Sequence, residues 1–105
     1  MSINLTSRLT ASVDAASAAL VSLAHALVLA GPLALPVTSA RALHGLARGA
    51  RAALLASEPG VALALLDEMD AVLAGDETEY AQALTRKTAD LRRAVTWRPR
   101  ATPTP

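Results

Sequence analysis

The sequence predicts an all-α fold, a single-domain four-helix bundle-like array with a long apolar N-terminal helix and a disordered Pro-rich C-terminal tail. Three observations lead there. Alanine and leucine supply 43 of the 105 residues, and both are strong helix formers. Aromatic residues, which strands favour, are reduced to Tyr80 and Trp97. Apolar residues recur at spacings of three and four in four successive segments, each bounded by Gly, Pro or a capping side chain. A chain of this length makes one domain and buries roughly 65% of its unfolded surface. The expected division is a helical domain over 1–98 and a flexible tail over 99–105.

The first helix is expected from about Asn4 to Ala30. Leu5, Leu9, Val13, Ala16, Leu20, Leu23, Leu27 and Ala30 form one stripe, and Gly31 with Pro32 ends it. Its first half is amphipathic. Its second half adds Val21, Val28 and Leu29 on the far side, which predicts a segment apolar almost all round. Pro32 to Thr38 reads as an extended connector, because each proline biases the residue before it away from the helix.

The second helix is expected over 39–56, capped by Thr38 or Ser39, with Leu43, Leu46, Ala50, Ala53 and Leu54 facing the core. Gly45, Gly49, Ala42 and Ala53 suggest a groove of small side chains. Ser57 is placed to cap a third helix over 58–74, with Pro59 in its first turn and Val61, Leu65, Leu66, Met69, Val72 and Leu73 inward. Gly75 ends it. "DETE", Asp76 to Glu79, reads as a capping box with Asp76 as the cap. The fourth helix then runs over 77–97 with Tyr80, Leu84, Thr88, Leu91 and Val95 on its stripe, and Pro99 stops it.

The composition argues against catalysis. Cysteine is absent, which excludes thiolate chemistry and Cys-based zinc sites. His25 and His44 lie on different helices without the spacing of a ligand pair, and Asp67, Glu68 and Asp70 read as a solvated acidic face. No phosphate loop, nucleophile motif or dinucleotide fingerprint occurs. The expectation is a protein that is not an enzyme, with no cofactor and no metal.

Charge is segregated along the chain. Residues 41–51 hold only bases, 58–79 only acids, and 86–100 bases with the single acid Asp90. Arg41, His44, Arg48 and Arg51 repeat at three, four and three, making a cationic stripe on the second helix. Either this stripe pairs with the third helix's acids, or, with Arg92, Arg93, Arg98 and Arg100, it contacts anions or nucleic acid. Asp90 is spaced to neutralise Arg86 and Arg93.

Residues 17–36 raise the question of compartment. A secretion signal or membrane anchor over residues 1–40 is one reading; a bundle helix is the other. The stripe already starts at Leu5, and Gly31 and Pro32 interrupt the run before about 20 residues, which favours the bundle and a cytoplasmic location. The far side of that helix then needs covering. Leu20, Val21, Leu23, Leu27, Val28 and Leu29 are the expected partner interface, for a homo-oligomer or a larger protein partner. The functional expectation is a non-catalytic helical interaction module, with a nucleic-acid-associated regulator as the alternative.

Overall fold

A computed structural model describes the backbone of residues 3–31 and 34–96, and the side chains of residues 11–31 and 34–96. Four helices occur in it, α1 (Ile3–Ala30), α2 (Val37–Leu55), α3 (Pro59–Leu73) and α4 (Glu79–Thr96), and no strand is present among the described residues. Each helix packs on its neighbours in sequence, and α4 closes on α1, so that the four form a ring around one shared core. The pairings run antiparallel. His25 of α1 lies beside His44 of α2, while the earlier Asp14 meets the later Arg51. Likewise Thr88 of α4 lies at Asp70 of α3, and Arg92 reaches back to Asp67. Short connections enforce this arrangement.

The core is built from alanine and leucine in equal measure. Leu20, Ala24 and Leu27 come from α1; Leu66, Met69 and Leu73 come from α3; Leu84 and Leu91 come from α4. The buried face of α2 is Ala40, Leu43, Ala47, Ala50 and Ala53, four alanines and one leucine. A face this small lets both neighbouring helices approach α2 closely, since interaxial distance follows the side chains at the contact. At Gly49 an added Cβ would stand 3.2 Å from Leu65 Cδ1 of α3. Gly45 has open space around it and Ala42 is exposed, so the expected groove of small side chains narrows to Gly49 and the alanines of the buried face.

Several boundaries move for identifiable reasons. The second helix begins at Val37, two residues before the expected start. Pro36, held extended at φ −53° and ψ 137°, stands at its N-cap, and its carbonyl accepts the first helical hydrogen bond from Ala40 N–H at 2.9 Å. Thr38 and Ser39 therefore lie inside the first turn. Ser57 does not cap α3 but terminates α2. Its φ is +61°, and the amides of Ser57 and Glu58 donate to the carbonyls of Leu54 and Ala53, the paired bonds of a Schellman motif. Pro59 opens α3 as expected.

The capping box also shifts. Thr78, not Asp76, caps α4, its Oγ1 accepting from Ala81 N–H at 3.2 Å. Asp76 instead accepts from Thr78 N–H at 2.9 Å, an Asx turn that presents the threonine. That bond favours the charged carboxylate and lowers the Asp76 pKa. Gly75, at φ +82°, ends α3 in the left-handed region, as anticipated.

Two inward faces are corrected by one position, and a third loses its second side. In α3, Val61 and Val72 are exposed and Ala62 is fully buried. In α4, Tyr80 is exposed and Ala81 takes its place. In α1 the second half is one-sided after all, because Ser22, His25, Ala26, Leu29 and Ala30 face outward. The side chains of Leu5 and Leu9, together with Trp97 and the tail over 99–105, lie outside the described residues.

Candidate functional site

The two arginines that approach neighbouring helices do so in different ways. Arg51 of α2 reaches α1, where its guanidinium pairs with the Asp14 carboxylate at 2.8 Å. It also donates to the Asp14 carbonyl and to Ser17 Oγ, both at 2.9 Å. Ser17 is buried, and its hydroxyl donates to the same carbonyl at 3.0 Å, so its buried oxygen both donates and accepts. The cationic stripe thus turns toward α1 and not toward the acids of α3, because α2 presents that side to its first neighbour.

The α3 acids take their counter-charge from α4. Arg92 bonds Asp67 at 3.0 Å and Asp70 at 2.8 Å. Thr88, fully buried on the same face, donates to its own helix at Thr85 carbonyl, 2.7 Å away, with Asp70 Oδ1 at 3.4 Å. Arg93 pairs with Asp90 one turn earlier, the partner its spacing predicts.

Of the stripe, Arg41, His44 and Arg48 remain on the surface without an ion pair among the described residues. Here the structure brings together two residues the sequence kept apart. The imidazoles of His25 and His44 stand 5.1 Å apart, centre to centre, with their planes at 59°. Partial burial, then the neighbouring His25, then Arg48 lower the His44 pKa. An ordinary histidine pKa of about 6.5, lowered, leaves this ring neutral at pH 7. Helical spacing alone gave no signal for the pair. The signal lay in the antiparallel register that sets residue 14 against 51, which also brings 25 near 44.

The expected partner interface divides. Leu20 and Leu27 are buried in the chain's own core and present no surface to a partner. Val21, Leu23 and Val28 pack partly against that core. Leu29 is 76% exposed. Arg98 and Arg100 lie outside the described residues. No cluster of three or more His, Asp or Glu side chains suited to hold a metal occurs among the described residues. Comparison with protein-family models, curated proteins and solved structures finds no match.

Proposed function

We propose that this chain is a non-catalytic helical interaction module that self-associates through the outward side of the second half of α1. One observation carries the reading. Within Ala11–Ala30 an 18-residue window has a mean hydropathy of 1.8, yet only 22% of its residues are fully buried, and one side of the helix is exposed. Ala15, Ser22, Ala26 and Leu29 lie along its solvent side with His25 beside them, a stripe of mostly small residues with one large apolar side chain. No Asp, Glu, Lys or Arg occurs from Ala15 to Ala40. A stripe this small and uncharged complements a copy of itself across a two-fold axis, and a net charge of +1 offers little repulsion between copies.

Light scattering at concentrations of tens of micromolar tests this. The expected mass is twice the 10.8 kDa of one chain, falling to one chain in Leu29→Glu. A wild-type protein that stays monomeric, or a variant that keeps the wild-type mass, overturns it.

The same observation supports a second reading, in which α1 lies against or within a lipid bilayer. The segment has the length and composition of a span. Against this, Ser17, Leu20, Ala24 and Leu27 are buried within the chain's own fold. Co-sedimentation with uncharged phosphatidylcholine vesicles, lost in Leu29→Glu, would favour it. The nucleic-acid alternative draws less support, because Arg51, Arg92 and Arg93 are engaged within the chain.

A further inference from the structure

We infer that His25 and His44 form an interhelical, two-ligand site for a borderline divalent cation such as Zn²⁺, Ni²⁺ or Cu²⁺. Imidazole nitrogens bind such ions at about 2.0–2.1 Å, and two rings on one tetrahedral ion therefore stand with their centres about 5 Å apart. The observed centre-to-centre separation of 5.1 Å, with the planes at 59°, falls at that spacing. Both rings are reachable, since His25 is exposed and His44 half-buried. Imidazole ligands suit these three ions better than magnesium or calcium, which take oxygen donors.

Two protein ligands leave coordination positions open for water or for donors from another molecule. Arg48 acts on the site in a definite direction. It lies close enough to His44 to disfavour added positive charge there, so it weakens cation binding and would strengthen anion binding. That sign separates a cation site from the other use of the same cluster, in which Arg41, Arg48 and the two imidazoles hold an anion.

Thermal unfolding of the full chain in chelator-free buffer at pH 7.5, with and without added NiCl₂ or ZnCl₂, tests the inference. An ion bound only by the native state raises Tm, by about 5 °C at a concentration several times Kd. The rise is expected in the wild type, absent in both His25→Gln and His44→Gln, and larger in Arg48→Gln. Neither histidine belongs to the buried core, and circular dichroism without metal checks that each variant folds. No rise in the wild type, or a rise that persists in either variant, overturns the site. So does a His-dependent rise with inorganic phosphate in place of metal, lost in Arg48→Gln, which would make the cluster an anion site.

Discussion

The α1–α2 and α3–α4 hairpins are each tied by one arginine, but the rest of their seams are made differently. Between α1 and α2 the chain sets Leu20, Ala24 and Leu27 against the alanine face of α2, and the Arg51 network lies at the margin. Between α3 and α4 the contact is the slightest of the four neighbouring pairs, and it carries a partly solvated polar group, Asp70 and Arg92 beside the buried Thr88. Small side chains give the first seam close backbone approach and many weak dispersion contacts. The second depends on a partly solvated ion pair, worth little on its own. One side of the ring is thus packed and the other pinned.

The largest expected effect compares the two sides with the same chemistry. Leu43 of α2 and Leu91 of α4 are both fully buried, and truncating either to alanine costs about 2–5 kcal/mol. How much depends on how far the surroundings relax into the space. Around Leu43 the buried neighbours on its own helix, Ala40 and Ala47, have no side chain to swing inward, so much of the cavity persists and the cost falls near the upper end. Around Leu91 the looser seam can close, and the cost falls near the lower end. Urea unfolding of the two variants reads the difference, and the opposite order would remove the distinction between the hairpins.

A smaller effect sharpens it. Arg92→Met and Arg51→Met should each cost about 1 kcal/mol at low salt. Arg92 bonds only carboxylates, so its contribution should vanish in 1 M NaCl, where screening acts within about 3 Å. Two of the three Arg51 bonds go to uncharged oxygens, the Asp14 carbonyl and Ser17 Oγ, and those persist in salt. The wild type and Arg92→Met should therefore converge in stability as salt rises, while Arg51→Met stays below the wild type. Equal salt dependence in the two variants would mean that the arginines act alike.

What could be read in advance follows the range of the interaction. Helix number and type were legible because alanine, leucine and their spacing act within one turn. The inward faces of α3 and α4 were misplaced by one position for a shared reason. Val61 and Tyr80 are larger than the alanines beside them, but close helix packing selects the smaller side chain at the seam, so Ala62 and Ala81 are the buried ones. The destination of the cationic stripe depended on which neighbour α2 turned it toward, a property of register that charge sequence alone does not fix. The outward side of α1 was hidden for the same reason. Counting its apolar residues gave a helix apolar almost all round, whereas α2 and α4 pack on one side of it and leave the other exposed.

The smallest effect concerns the turn that joins the two hairpins, and there the substitution should stabilise. Ser57 sits at the C′ position of α2 with φ +61°, the conformation that brings an L residue's Cβ against the carbonyl oxygen and costs roughly 1 kcal/mol. The corresponding positions after α1 and α3 are glycines at φ +82°. Ser57 is exposed, and its Oγ makes no hydrogen bond among the described residues, so Ser57→Gly removes no contact that holds the turn. Against the relief of strain stands the extra freedom glycine gives the unfolded chain. The net gain should be about 0.5 kcal/mol, a rise in Tm of roughly 2–4 °C. Ser57→Ala keeps the Cβ and should show no such rise. If the glycine variant is no more stable than the alanine one, the strain at this junction is illusory, and the link between the packed and the pinned hairpins costs the fold nothing.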